Sequence, residues 1–157
     1  MGDATGVGPF AYSGKTMPRH DWSPLVRGVR DQLLEKCHVY YDCCLLNLYP
    51  GGNDGQAPSG MRYHRDPDQG VLWSHDTSVV SVGATRRFAF RSSTDGGTPH
   101  TFTVSHGDVT RMVRDCQTRF EHTVKKADFS TDTAPRISMV FKQTLGVSQK
   151  AGAGQLQ

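Results

Sequence analysis

The sequence has no long apolar run. No stretch approaches the roughly 20 residues that span a bilayer, and the first ten residues, MGDATGVGPF, lack the basic start and apolar stretch of a secretory signal. The chain begins Met-Gly, but Gly6 stands where an N-myristoylation signal has Ser or Thr. These absences favour an intracellular protein, in the nucleus or the cytoplasm, without a membrane partner.

Cysteine is scarce as well, with only Cys37, Cys43, Cys44 and Cys116. No CxxC pair occurs, and the side chains of the adjacent pair point to opposite faces if they lie in a strand. This spacing argues against a zinc site and against a disulfide framework. We expect free, mostly buried thiols in a reducing compartment.

The length and composition are those of a soluble globular protein with one domain. The 157 residues are 36% hydrophobic and 21% charged, and 17 glycines and 8 prolines indicate many turns. We expect a loose lead-in at residues 1–11 and a folded domain at 12–145. Residues 146–157 have no apolar periodicity and are expected to be a disordered tail.

The net charge of +3 is modest, but the basic residues are locally concentrated. They are Arg86, Arg87, Arg91, Arg111, Arg114, Arg119, Lys125 and Lys126. Such a surface suits a phosphate backbone. Ordinary solubilising charge is the alternative.

One helix and then a series of short strands are predicted. The helix starts near Asp21 or Ser23 as the N-cap, has Pro24 in its first turn and ends near Lys36. Its expected buried face consists of Leu25, Val26, Val29, Leu33 and Leu34. Strands are predicted at residues 39–49, 60–64, 79–84, 87–91, 101–104, 109–113, 120–124 and 137–142. This order predicts a mainly β (α+β) fold, a jelly-roll or barrel-like double sheet with one supporting helix.

The strongest chemical signal is His64-Arg65-Asp66. In an extended segment these outer two side chains project to the same face, so an imidazole and a carboxylate can grip one ion. His122, about 55 residues further on, fits as a third ligand from a distant strand. Two histidines and one carboxylate are typical of non-haem Fe(II) oxygenases. HxD triplets are also common by chance.

Two further segments suit an anionic co-substrate. Positions 136, 138, 140 and 142 share one face of the last predicted strand, so Arg136 and Lys142 flank Ser138 there and could meet a dicarboxylate. Asn47 and Tyr49 also share a face and can hydrogen-bond one ligand. Each segment alone also fits an ordinary half-buried strand.

Taken together and in this order, six pieces resemble the AlkB family of Fe(II)/2-oxoglutarate dioxygenases. The pieces are Asn47-Leu48-Tyr49, His64-Arg65-Asp66-Pro67-Asp68, residues 80–88, His106-Gly107-Asp108-Val109, residues 117–122 and residues 135–142. The likeness covers roughly residues 10 to 143. Their shared order is far more specific than any single piece.

The resemblance implies a double-stranded β-helix (jelly roll) that uses Fe(II), 2-oxoglutarate and dioxygen. His64, Asp66 and His122 would be the catalytic iron ligands. The 2-oxoglutarate contacts would be Asn47, Tyr49, Arg136, Ser138 and Lys142. Lys142 stands where the family usually has a second arginine. A lysine keeps the positive charge but lacks the two-pronged hydrogen-bonding geometry of a guanidinium. Ser138 stands where some members have Asn.

The resemblance also suggests substrate contacts. Asp68 matches a position that touches the substrate base, although an Asp after Pro67 also suits a turn. The other expected contacts are Phe10, Tyr12, Arg65, Arg86 and Arg87. The family usually has a longer N-terminal lid over the nucleotide, and we expect this lid to be absent, shortened or cut from this sequence.

The implied function is oxidative demethylation of N-methylated bases in DNA or RNA, by a monomer that binds methylated nucleic acid. A dioxygenase with the same core could act instead on a protein or a small molecule. A catalytically silent binding module is the third reading, and the intact His64, Asp66 and His122 set argues against it.

Overall fold

Two four-stranded antiparallel sheets carry most of the fold in the computed structural model, which describes residues 10–12, 15–51, 59–127 and 133–145. The major sheet has the strand order β3 (Cys43–Tyr49), β10 (Arg136–Thr144), β5 (Trp73–Gly83) and β8 (Val109–Met112). The minor sheet has the order β4 (Met61–His64), β9 (Phe120–Val124), β6 (Arg86–Ser92) and β7 (His100–Val104). The predicted double sheet is therefore confirmed.

The remaining elements are two short strands and two helices. Strands β1 (Phe10–Tyr12) and β2 (Lys15–Met17) pair where a loose lead-in was expected, so that prediction was wrong for residues 10 and 11. Helix α1 spans Pro24–Cys37, and the single turn α2 spans Cys116–Arg119. Within the described residues, neither helix is long and apolar enough to cross a membrane. The predicted disordered tail lies outside those residues.

Helix α1 begins as predicted. Ser23 is the N-cap, its side chain accepts a hydrogen bond from the Val26 amide at 3.3 Å, and Pro24 opens the first turn. The prediction of the buried face was wrong in part, because Leu25 is 84% exposed and Leu34 40% exposed. Successive residues are about 100° apart around a helix, so Leu25 and Leu34 lie well to the side of the narrow buried stripe that Val26 and Leu33 form.

Removing the Ser23 cap should destabilise the protein. Ser23→Ala leaves the Val26 amide without its acceptor, and we expect the free energy of unfolding to fall by about 1 kcal/mol. Ser23→Asp is the matched control, because a carboxylate keeps the acceptor and suits the helix N-terminus. Urea denaturation followed by circular dichroism measures both. Equal stability of Ser23→Ala and the wild type would contradict the capping role.

The two faces of the major sheet pack against different parts of the protein. The outer face packs under α1 in a core made of Trp22, Val26, Leu33, Tyr41, Cys44, Val80, Met139 and Phe141. The Trp22 and Phe141 rings stack there with centroids 6.3 Å apart. Since side chains alternate along a strand, the neighbouring residues face the minor sheet. The inner face is therefore available for a pocket between the sheets.

Two strands begin four or more residues away from their predicted starts. Strand β3 begins at Cys43 rather than at residue 39, and just before it the buried Asp42 side chain accepts from the Thr144 amide at 2.9 Å. Strand β5 begins at Trp73, six residues before the expected start. Its first half, SHDT, has no apolar alternation, but Thr77 and Ser78 are fully buried.

The cysteine prediction was right about bonding and partly wrong about burial. All four thiols are free. Only Cys44 is fully buried, and Cys37, Cys43 and Cys116 are half-buried. Burial raises the pKa of the Cys43 and Cys116 thiols, which therefore stay protonated at neutral pH.

Candidate metal centre and its pocket

Strand pairing brings two histidines together. His64 on β4 lies directly opposite His122 on β9, and their ring centroids are 4.3 Å apart. Asp66, two residues past His64, points Oδ1 at Nε2 of both rings, at 3.6 Å and 3.7 Å. One ligand atom from each residue lies within 4.8 Å of the others. The three side chains predicted to bind one ion therefore converge.

The two imidazoles are held in different ways. His64 Nδ1 lies 2.8 Å from the Arg62 carbonyl, which fixes the proton on Nδ1 and leaves the lone pair on Nε2. His122 is buried against Phe88, with the rings nearly parallel at 5.8 Å. Burial lowers the pKa of His122 to about 4, so this ring is neutral at pH 7 and can donate a lone pair to a metal.

Asp66 is kept ionised by its neighbours. Burial would raise its pKa, but the nearby His64 ring and the Lys142 ammonium outweigh burial and hold the pKa well below the usual range of a carboxyl. Lys142 Nζ donates to Asp66 Oδ2 at 2.6 Å, and the lysine side chain is only 3% exposed. Lys142 thus neutralises the carboxylate that is predicted to bind the metal; its expected contact with 2-oxoglutarate stays a prediction.

An open pocket with about 530 Å³ of empty space, its mouth included, surrounds the triad. It is lined by Leu45, Asn47, Tyr49, Met61, His64, Asp66, Pro67, Val79, Phe88, His122, Val124, Ser138, Val140 and Lys142. Asn47 Nδ2 donates to Ser138 Oγ at 3.4 Å across the β3–β10 pair. Four of the five predicted 2-oxoglutarate contacts therefore line the same pocket as the triad, on the strands of the major sheet that face β4 and β9.

Arg136, the fifth predicted contact, is not among the lining residues but is paired in the β3–β10 ladder with Tyr49, which is. It is 1% exposed, its Nη2 donates to Ser81 Oγ at 2.9 Å, and its guanidinium is 5.2 Å from the Tyr49 ring centroid. Nε and Nη1 are buried and have no hydrogen-bond partner among the described residues. Buried donors are rarely left unpaired, and an anionic ligand that reached Arg136 would satisfy them.

The predicted substrate contacts have mixed outcomes. Arg65 and Asp68 are exposed. Asp68 has a left-handed backbone, φ 59°, and its carbonyl accepts from three amides of the following turn. Only the backbones of residues 10 and 12 are described, so the predicted base contacts of the Phe10 and Tyr12 side chains lie outside the described part of the chain.

Arg86 was wrongly predicted to be a phosphate contact. It is 0% exposed, and its guanidinium donates to the carbonyls of Thr85 and Ala134 at 3.0 Å and 2.6 Å. Buried there, it cannot reach a phosphate outside. Arg87 is half-buried beside it in the chain.

Part of the local positive charge is neutralised on the surface. Three arginines of the predicted basic group pair with acids, in the pairs Arg91–Glu121, Arg111–Asp76 and Arg119–Asp115. The expected basic surface is accordingly weaker than the sequence suggested.

Gln117 is a site residue whose role was not predicted from the sequence. It is 6% exposed, and its amide contacts both the backbone and the carboxylate of Asp66. It lies in one of the six family-like pieces, five residues before His122. A glutamine has no metal-ligand or charge signature, so only its position beside His122 could have drawn attention to it.

Comparison with known proteins points to one family. A sequence model described as "2OG-Fe(II) oxygenase superfamily" matches residues 3–142. Uncharacterized protein R406 of Acanthamoeba polyphaga mimivirus is 29% identical over 132 residues, which are 84% of this chain and 65% of that protein. DNA oxidative demethylase ALKBH2 of Mus musculus is 27% identical, covering 87% of this chain and 57% of its own length.

A human relative and a solved structure agree with these matches. Human alpha-ketoglutarate-dependent dioxygenase alkB homolog 3 is 25% identical, covering 85% of this chain and 48% of its own length. The chain thus spans about half to two thirds of the curated relatives that it matches. The solved structure of OsALKBH1 has the same fold, with a TM-score of 0.56 at 16% identity over 83% of this chain and 69% of that one.

Proposed function

Because the chain belongs to the 2OG-Fe(II) oxygenase superfamily, we propose that it is an Fe(II)- and 2-oxoglutarate-dependent dioxygenase that demethylates N-methylated bases in DNA or RNA. The observation that carries this proposal is the convergence of His64, Asp66 and His122 within 4.8 Å, in a pocket backed by buried cations. Two imidazoles and one carboxylate suit ferrous iron and leave coordination positions for other ligands.

The pocket also fits a dicarboxylate. Arg136 would take the distal carboxylate through its unpaired Nε and Nη1, in the two-pronged manner that arginine favours. Asn47 and Tyr49 would hydrogen-bond the same molecule from the wall of the pocket. Burial raises the pKa of the Tyr49 hydroxyl, so it stays protonated and can donate.

The protein residues bind, orient and shield the reactants. Iron, 2-oxoglutarate and dioxygen, when bound, would supply the oxidation that converts an N-methyl group into a hydroxymethyl group, with 2-oxoglutarate converted to succinate and carbon dioxide, and the hydroxymethyl group would then leave as formaldehyde. His64, Asp66 and His122 would fix the iron. Phe88, on the pocket wall, would keep water from the reacting atoms.

Nucleic acid is the proposed substrate class because two groups of relatives support it. ALKBH2 is named a DNA oxidative demethylase, and alkB homolog 3 is a second relative of similar identity. On this chain, Arg65 and Asp68 are exposed on either side of Asp66, and they would meet a base and its phosphate. A base inside a duplex must first be flipped out, so single strands are the easier targets.

The test is a panel of methylated single- and double-stranded oligonucleotides, incubated with the protein, Fe(II), ascorbate and 2-oxoglutarate. We expect loss of 14 mass units per methyl group, matched by release of succinate. Methylated peptides are the comparison. Turnover of peptides alone would replace the proposed substrate class, and absence of succinate with every substrate would contradict the dioxygenase activity.

A substitution at Asp68 tests base recognition. Its carboxylate would accept a hydrogen bond from the exocyclic amine of adenine or cytosine. Asp68→Gly removes the carboxylate but tolerates the left-handed backbone, φ 59°. We expect turnover of methylated adenine and cytosine to fall about tenfold, as for one lost hydrogen bond to a charged group, while bases without that amine are unaffected.

The matched control for this substitution is His38→Gly. His38 is exposed, has φ 56° and ends α1 on the other side of the major sheet. Kinetics on each oligonucleotide measure the effect. Equal losses on all bases would show that Asp68 acts only through its turn.

A further inference from the structure

The side-chain amide of Gln117 makes two hydrogen bonds with Asp66. Gln117 Oε1 accepts from the Asp66 backbone amide at 2.8 Å, and Gln117 Nε2 donates to Asp66 Oδ2 at 3.2 Å. The orientation of this amide is fixed by chemistry, because a backbone N–H can only donate and an ionised carboxylate can only accept. The two contacts therefore hold both the main chain and the side-chain torsion angles of Asp66.

The same carboxylate oxygen receives a second donor. Lys142 Nζ lies 2.6 Å from Asp66 Oδ2, so Gln117 and Lys142 both occupy that oxygen. Oδ1 is the atom that faces the Nε2 atoms of the two histidines. The two carboxylate oxygens therefore have different contacts. Oδ2 accepts hydrogen bonds from the protein, and Oδ1 remains available to a metal.

A further polar layer holds Gln117 itself. Its Nε2 lies 3.4 Å from Thr77 Oγ1, which is fully buried on β5. With its oxygen turned inward, the Gln69 amide accepts from Gln117 Nε2 at 3.2 Å and from Lys142 Nζ at 2.8 Å. Buried polar groups that are fully satisfied in this way make a site rigid.

The position of Gln117 in the chain links the separate ligands. It lies in α2, the single turn that leads directly into β9 and His122. Through its amide, the strand that carries His122 is tied to the segment that carries Asp66, 51 residues earlier. A shift of the turn would therefore move the carboxylate relative to the imidazole.

We propose that Gln117 is a positioning residue of the metal centre, which holds Asp66 so that Oδ1 alone is presented to the ion. This inference rests on the proposed function, in that His64, Asp66 and His122 bind iron. Partners of metal ligands typically contribute roughly 10- to 100-fold to metal affinity. The same range is expected for Gln117.

The experiment measures Mn(II) binding by the full chain with electron paramagnetic resonance, without turnover. Gln117→Met has nearly the same shape but neither hydrogen bond, and we expect its Mn(II) dissociation constant to rise by roughly 10- to 100-fold. Gln32→Met is the matched control, because Gln32 is exposed on α1. Its Mn(II) affinity should equal that of the wild type.

Thermal unfolding of the metal-free proteins separates positioning from stability. Gln117→Asn, which keeps a buried amide but is one methylene too short to span both contacts, replaces the Met variant if that variant does not fold. Unchanged Mn(II) affinity in a folded Gln117 variant would overturn the inference and leave the proposed function intact. A wild-type chain that binds no Mn(II) would contradict the proposed metal centre itself.

Discussion

Asp66→Ala is expected to abolish 2-oxoglutarate turnover and to weaken Mn(II) binding by more than the roughly 100-fold that an outer partner contributes. The substitution removes the carboxylate whose Oδ1 faces both histidines, at 3.6 Å and 3.7 Å. Two neutral imidazoles then remain, without a charge to balance the metal. Succinate release and paramagnetic resonance measure the two effects. Asp115→Ala, which removes an exposed acid from an ion pair with Arg119, is the control.

The same substitution should also destabilise the fold. It leaves the buried ammonium of Lys142 without its partner at 2.6 Å, and breaking a buried ion pair costs about 3–5 kcal/mol. Asp66→Ala combined with Lys142→Met removes both charges, and we expect it to recover most of the lost stability but no turnover. Full turnover in the folded double variant would refute the role of Asp66 as a ligand.

Arg136→Leu has the second largest expected effect. Truncating one partner of a buried charge pair costs about 2–5 kcal/mol, which raises the 2-oxoglutarate KM by roughly 30-fold to several thousand-fold. The metal-free protein should be no less stable, because removing an uncompensated buried charge offsets the loss of the hydrogen bond from Nη2 to Ser81. Burial already lowers the pKa of Arg136, a sign of the cost of its charge without an anion.

Thermal unfolding with Mn(II) and increasing 2-oxoglutarate tests this prediction. Ligand binding raises the melting temperature of the wild type by mass action, and this rise should vanish in Arg136→Leu. Arg119→Leu, an exposed arginine on α2, should behave like the wild type. An unchanged response in Arg136→Leu would remove this residue from the co-substrate site.

The sequence predicted the ligand triad because its signals are local and chemical. The spacing of His64 and Asp66 places them on one face of an extended segment. His122 lies in a predicted strand, and the pairing of β4 with β9 brings it opposite His64. The six family-like pieces supplied that order. The same logic predicted the wall of the pocket, since Asn47 and Ser138 are partners in the β3–β10 ladder.

What the sequence could not predict depends on burial and on partners far along the chain. Arg86 looks like any surface arginine until its guanidinium is found under the carbonyl of Ala134. Lys142 and Gln117 reveal their roles only through Asp66, which lies 76 and 51 residues away. Polar segments such as the first half of β5 have no apolar period, so their burial is decided by tertiary contacts.

These long separations have a consequence for how the centre forms. In the unfolded chain only His64 and Asp66 are neighbours. Closing the loops to residues 117, 122 and 142 costs conformational entropy, which is offset only by the contacts that form when the whole chain folds. During synthesis the carboxylate meets its ammonium only after β10 has emerged from the ribosome. Under the proposed function, the carboxylate that would bind iron is therefore fully supported only after the last strand has paired.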